Sequence, residues 1–395
     1  MSHILILGGD GYLGWPASMF FSKLGHEVTV VDNYFRRKIC DDLDVGMLYS
    51  IPLLDERAQI WHEHTGKEIK VIIGDLSDPE LMRSLFTGNF SYEWAINSNF
   101  TGIPDTVIHF AEQPSAPYSL MNYQTANFTI TNNLLITNNL MFAVKDLAPN
   151  THIIKLGTMG EYGTPNIDIE EGWLDIKHNN RSDLFLFPRQ ASSLYHTTKI
   201  MDTDLLWFGV RTWGLRVTDL MQGPVYGIES YESSIDHRLK TLFNYDEIFG
   251  TVINRFIVQA IIEFPLTVYG KGSQIRGYIN IKDTLECLKI SAFNPPEKGK
   301  LSIYNQITET FTVNDLAKMV QNVGLSLGYD VQVKNIKNPR IEKEKHYYNP
   351  KYQGLISLGL KPHYLNDKLV KEMFKIIAEH KSNIRKSVIF NGLKW

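Results

Sequence analysis

Ile4-Leu5-Ile6-Leu7 runs directly into Gly8-Gly9-Asp10-Gly11-Tyr12-Leu13-Gly14, and a helix-length segment, Tyr12–Leu24, follows. Gly8, Gly11 and Gly14 stand at GxxGxxG spacing, and Gly9, Gly11 and Gly14 at GxGxxG spacing. A buried strand, a glycine turn and a helix in this order make a dinucleotide-binding loop. The glycines allow a tight turn, close approach of backbone to a pyrophosphate, and close helix–strand packing. The helix N-terminus then offers free N–H groups and a positive dipole end to the phosphates.

Outward from that loop, the run His26–Val31 ends at Asp32. A carboxylate there accepts from both ribose hydroxyls and repels a 2′-phosphate, which favours NAD over NADP. Arg36 and Arg37 lie close by and pull the other way. Gly74-Asp75-Leu76 closes a third strand, placing Asp75 within reach of the adenine edge.

Further strand-like runs, Lys70–Ile73, Thr106–Phe110, His152–Leu156 and Gly214–Val217, alternate with helical segments, notably Tyr118–Lys145 and Ser192–Phe208. Such alternation predicts an α/β fold, a Rossmann-type doubly wound parallel sheet. Two insertions interrupt it: a polar helical stretch at Ile39–Lys67 and a long irregular loop at Thr164–Arg189, the latter suited to a lid or substrate wall. After Tyr226 the segments shorten and prolines punctuate them. The division expected is a cofactor domain over residues 1–225 and a smaller α+β C-terminal substrate lobe over 226–395. A brief return to the first domain is expected near Tyr278–Ser291.

Composition narrows the function. The formal net charge of −3 argues against a nucleic-acid partner. Two cysteines, Cys40 and Cys287, build no disulfide framework and leave a reducing cytoplasm as the default. No targeting segment precedes Ile4, and no apolar run approaches the ~20 residues of a membrane span. No metal site is read.

Tyr195 and Lys199 form a YxxxK pair on a predicted helix, one turn apart on one face. A nearby ammonium favours the phenolate, so the tyrosine can serve as a base. Thr158 lies just beyond the strand His152–Leu156, where a hydroxyl points into the ligand crevice.

Together these features resemble the extended short-chain dehydrogenase/reductases, over nearly the whole chain. The resemblance implies hydride chemistry at a sugar carbon by Thr158, Tyr195 and Lys199. It implies a cofactor set of Gly8, Gly11, Tyr12, Gly14, Asp32, Asn33, Arg36, Asp75, Leu76, Tyr195, Lys199 and Gln222. Gln222–Gly227 resembles the family turn into the substrate lobe. Leu266–Gly272 and Gln274–Tyr278 resemble its nucleotide-sugar segment. There the backbone near Thr267 and Val268 faces the base, with Gln274 beside it, and Arg276 and Arg340 clamp the diphosphate. Arg suits phosphate because its donors match bidentate oxygens. The resemblance also implies that the long helices within Tyr118–Lys145 and Ser192–Phe208 pair across a two-fold axis into a four-helix bundle, giving a homodimer.

Four segments carry a closer resemblance: Leu156–Gly172, Gln190-Ala191-Ser192-Ser193, Glu112-Gln113 with Ser115–Tyr118, and Tyr347-Tyr348-Asn349. They are similar to the branch of the family that joins sulfite to UDP-glucose. That branch implies oxidation at carbon 4 by NAD, loss of water across carbons 5 and 6, addition of sulfite at carbon 6, and return of the hydride to carbon 4. Gln113, Thr158, Arg189, Gln190 and Gln222 complete the substrate set. Sulfite arriving free or from a partner protein stays open. Met159-Gly160 follows Thr158 where sugar 4,6-dehydratases have Asp-Glu, which leaves Glu161 and His196 as acid/base candidates for the elimination. Pro114 stands where the resemblance implies an arginine. The competing readings are a UDP-hexose 4-epimerase, a 4,6-dehydratase, and a non-catalytic dinucleotide-binding regulator. An intact Thr158, Tyr195 and Lys199 argue against the last.

Overall fold

The computed structural model describes residues 1–90, 95–96, 102–338 and 347–389. Strands β1 (His3–Leu7), β2 (Glu27–Asp32), β3 (Lys70–Ile73), β4 (Ala95–Ile96), β5 (Thr106–His109) and β6 (His152–Thr158) build most of the main sheet. An antiparallel hairpin, β7 (Trp173–His178) and β8 (Arg181–Leu186), interrupts it before β9 (Arg216–Gln222) resumes it. After β10 (Val225–Tyr226), β11 (Leu266–Tyr269) and β12 (Ile275–Asn280), the strand β13 (Lys300–Gln306) pairs in parallel with β9. The sheet order is β13-β9-β6-β5-β1-β2-β3-β4, parallel except for the edge pair β3–β4. The predicted doubly wound sheet is therefore present. β1 is buried on both faces throughout, which is why Ile4–Leu7 reads as an unbroken apolar run.

Helices α1 (Gly14–Lys23), α2 (Phe35–Asp42), α3 (Leu54–Thr65), α4 (Pro79–Thr87), α5 (Tyr123–Leu147) and α6 (Leu194–Trp213) flank the sheet. Asn122 and Thr125 cap α5 reciprocally. Ser193 caps α6, and Gly214 ends it in the left-handed region at φ 71°. These two caps fix where the 195–199 face starts relative to the sheet.

The remaining strands lie apart from the main sheet. β10, β12 and β14 (Glu309–Thr312) form a three-stranded sheet, and β11 pairs with β15 (Val333–Ile336). Between them run α7 (Val252–Ile261), α8 (Ile281–Phe293) and α9 (Val313–Ser326). α7 packs on α9 and on the helix Asp367–Ala378, around Phe256, Val320 and Phe374. α8 packs back on α1 and β6.

Both insertions differ from their sequence reading. Thr164–Arg189 is not wholly irregular: its centre is the β7–β8 hairpin, turned by Asn179 and Asn180 at φ 48° and 59°. Paired left-handed residues are what a two-residue hairpin turn requires, and asparagine tolerates that region. Ile39–Lys67 holds the end of α2, a non-helical stretch and α3 rather than one polar helix. It buries Ile39, Leu54, Trp61 and the whole Arg57 side chain. Among the described residues no helix is long and apolar enough to cross a membrane.

Candidate active site

The strand ends converge on one cavity of about 770 Å³. On its cofactor side, the Gly8 N–H donates to Val31 O at 2.8 Å, so the loop hangs from β2. Gly8 is at φ 89°, and a Cβ there would lie 2.8 Å from Ala111 N. At Gly11 a Cβ would meet only Gly8 O, at 3.5 Å, and the residue lines the cavity. This is an open cradle that any side chain would fill, which fits a bound pyrophosphate.

Asp32 lines the same cavity and accepts from Asp10 N at 2.9 Å and Tyr34 N at 2.7 Å. Burial, then the neighbouring Asp10 charge, push its carboxyl up to about 6. Asp10 itself is engaged elsewhere. Arg37 holds it through Nε and Nη2, both at 2.7 Å, and the fully buried Arg57 closes on its other side. Arg36 turns toward the second lobe, donating to Asn244 Oδ1 at 2.8 Å and covering the Phe249 ring. Each of the two arginines that argued for NADP is thus committed to another partner.

Tyr12 and Asn33 line the cavity, and the Tyr12 hydroxyl donates to Gly227 O at 2.6 Å. Gly74 and Leu76 also line it, but Asp75 does not. The Asp75 carboxylate is exposed and accepts the Ser77 N–H at 2.9 Å through Oδ1, closing a local turn.

On the reaction side, Thr158 ends β6 opposite Gln222 of β9, and both line the cavity. Tyr195 and His196 enter from the first turn of α6, their rings 5.1 Å apart. His196 Nδ1 lies 3.1 Å from Ser193 Oγ, and its other edge packs over Gly160. Lys199 donates to Leu156 O at 2.7 Å and pairs with Glu112 at 2.6 Å. Its ammonium is 6.0 Å from the centre of the Tyr195 ring. The phenol's pKa is pushed up, by burial first and by the Glu112 and Glu161 carboxylates next.

In the second lobe Thr267, Gln274 and Arg276 line the cavity. Gln274 Nε2 donates to Tyr269 O at 3.1 Å, and Arg276 Nη1 donates to Ile275 O at 2.8 Å. Arg340 lies outside the described residues.

The profile of the NAD dependent epimerase/dehydratase family matches residues 4–305. Over 392 residues the chain is 43% identical to the chloroplastic UDP-sulfoquinovose synthase of Spinacia oleracea, covering 99% of this chain and 79% of that one. Over 395 residues it is 40% identical to the UDP-sulfoquinovose synthase of Sulfolobus acidocaldarius, covering 99% and 97%. The chain belongs to the UDP-sulfoquinovose synthases of the NAD dependent epimerase/dehydratase family. Its fold matches UDP-glucose 4-epimerase from Bifidobacterium longum, solved with NAD+ and UDP, at a TM-score of 0.70 and 20% identity, covering 97% of this chain and 100% of that one.

Within a UDP-sulfoquinovose synthase, three further residues assigned from sequence sit differently from their expected places. Glu161 is fully buried and does not line the cavity. Its Oε1 accepts from Thr158 N at 3.1 Å and Lys155 Nζ at 3.2 Å, so it caps the turn that carries Thr158. Burial raises its pKa against the opposing pull of Lys155. Arg189 is buried behind it, 3.5 Å from Glu161 Oε2, rather than on the substrate wall. Gln113 lines the cavity, but its side chain is engaged internally, by Ser115 and by Thr129 Oγ1 at 2.8 Å. The Val268 side chain is buried in the core beside Thr267, while the expectation at this position concerned its backbone. Gln190 does line the cavity.

Two groups had no role in the sequence reading. Glu112 was visible only as part of a resembling segment. Lys155 sits in the apolar run of β6, with Nζ bonded to Lys199 O at 2.8 Å and Thr203 Oγ1 at 2.7 Å. A lysine inside a strand that otherwise reads as core was the available signal.

Proposed function

We propose that the chain converts UDP-glucose and sulfite to UDP-sulfoquinovose in this cavity. The observation that carries the reading is the cavity itself. It joins the glycine loop to Thr158, Tyr195 and His196, and continues to Arg276 in the second lobe. The Gly11 cradle and the first turn of α1 hold the cofactor's pyrophosphate, and Asp32 accepts from its ribose. NAD held there would supply the hydride acceptor for the oxidation and the hydride donor for the reduction. The Tyr195 phenolic oxygen takes the proton of the sugar's 4-hydroxyl and gives it back, while Thr158 Oγ1 shares that hydrogen bond. With Glu161 withdrawn from the cavity, His196 moves the proton of carbon 5. Ser193 orients the ring through Nδ1, so that Nε2 faces the Thr158–Gly160 turn. Arg276, which lines the cavity, clamps the diphosphate. One water leaves for each sulfite added, with no net change in the cofactor. The assembly proposed is a homodimer through α5 and α6, whose exposed apolar residues include Phe142, Met201 and Phe208.

The test is mass spectrometry of the product from UDP-glucose deuterated at carbon 4, with and without sulfite. The sulfonated sugar nucleotide should form only with sulfite and should keep its deuterium. A 4-epimer or a 4-keto-6-deoxy sugar formed in the presence of sulfite would sink the assignment.

A further inference from the structure

Glu112 follows β5 and borders the cavity, yet its carboxylate is 2% exposed. Its nearest charge is Lys199, with Nζ to Oε1 at 2.6 Å, and His109 Nε2 lies 3.6 Å from the same oxygen. Lys199 also donates to Leu156 O. The ammonium is therefore fixed between a carboxylate and a carbonyl, 6.0 Å from the centre of the ring it is placed to activate. An ammonium neutralised this way does little to favour a phenolate.

The other ionisable groups around Tyr195 come from each packed element. β5 brings His109, whose pKa burial and Lys199 lower to about 3, so it carries no charge. β6 brings Lys155, and the following turn brings Glu161. These two oppose each other, with Asp219 of β9 3.4 Å from Lys155. Arg189 faces Glu161 from the loop before α6. On α6 itself, His196 is the neighbouring ring, and Asp202 is buried with its pKa raised by burial and then by Glu112. Against this background, burial and the nearby Glu112 carboxylate push the Tyr195 pKa up.

We propose that Glu112 is a positioning residue: it holds the Lys199 ammonium off Tyr195 and thereby sets the pH at which Tyr195 works as a base. The inference rests on Tyr195 being the base proposed above. Glu112→Gln keeps the shape and a hydrogen-bonding oxygen while removing the charge, which both frees the ammonium and deletes the carboxylate's own repulsion of a phenolate. Both changes act in one direction.

Two measurements test this. In chain labelled with 3-fluorotyrosine, the position-195 resonance is assigned by its loss in Tyr195→Phe, and its 19F shift is titrated without added ligand. Glu112→Gln should lower the midpoint by about one pH unit, a tenfold change in proton affinity. The acid limb of single-turnover NAD reduction by UDP-glucose should move down by a similar amount. Glu112→Asp, which retains the charge on a shorter arm, should give a midpoint between those of Gln and the unaltered chain. It provides the test by itself if the Gln variant does not fold. An unmoved or raised midpoint, or a rate reduced equally at every pH, overturns the inference. If the unaltered chain forms no reduced cofactor with UDP-glucose at any pH, the role of Tyr195 fails and the inference fails with it.

Discussion

Alanine at position 160 isolates the step assigned to His196. The added methyl would lie 2.6 Å from His196 Cδ2, 2.8 Å from Cε1 and closer still to Nε2. Favourable contacts of carbon begin near ~3.5 Å, so the imidazole must retreat by about an ångström. Gly160 is not in the left-handed region, so alanine brings no backbone strain of its own. A misplacement of about 1 Å can cost ~10²-fold, and removal of a general acid–base group typically costs ~10²–10⁴-fold. Product formation should therefore fall about 10²-fold, equivalent to about 2.7 kcal/mol of barrier. Oxidation at carbon 4, assigned to Tyr195 and Thr158, should continue. The assay is single-turnover absorbance of reduced cofactor beside product mass, for Gly160→Ala, His196→Ala and the double variant. Both single variants should accumulate reduced cofactor on UDP-glucose, and the double variant should be no worse than His196→Ala. Full product yield from Gly160→Ala, or losses that multiply in the double variant, would refute the placement of the elimination on His196.

Three further outcomes follow from the geometry. Ribose hydroxyls bond best to a charged Asp32, whose pKa is raised to about 6, so NAD affinity should be full above that pH and weaken as pH falls below it. Cofactor titration across pH 5–8 checks this, and Asp32→Asn should flatten the profile at weak binding. Arg57→Leu removes a fully buried partner of Asp10 beneath the glycine loop. Denaturant unfolding should show a loss of about 3 kcal/mol, whereas a loss below ~1 kcal/mol would mean that Arg37 alone suffices. Sedimentation at micromolar protein should give twice the 45.3 kDa chain mass, and a single-chain mass would exclude pairing through α5 and α6.

What could be read in advance was what is local along the chain. Ile4–Gly14 specifies strand, turn and helix within one continuous stretch, and Asp32 ends the strand that pairs beside it. Tyr195 and Lys199 share a face because a helical turn puts them there. Glu161 was equally local: Thr158 and Glu161 stand at the spacing of a capping box, and the structure uses them so, each side chain bonding the other end's backbone. The competing catalytic reading failed because capping turns the carboxylate inward. The Asn179-Asn180 turn was also written locally, flanked by Trp173–His178 and Arg181–Leu186, but the polar length of the insertion hid it. The buried charge pairs are a different case. Arg57 meets Asp10 across 47 positions, and Glu112 meets Lys199 from another strand end. A buried ion is tolerable only when its partner is brought to it by the rest of the fold, so neither residue carries a mark of its pairing in its own neighbourhood. The charges around the lysine and beneath the glycine loop become legible only once the sheet order places β5 beside β6 and the insertion beneath α1. A resembling segment such as Glu112-Gln113 can point to a functional loop before it can say which of its two side chains reaches the lysine.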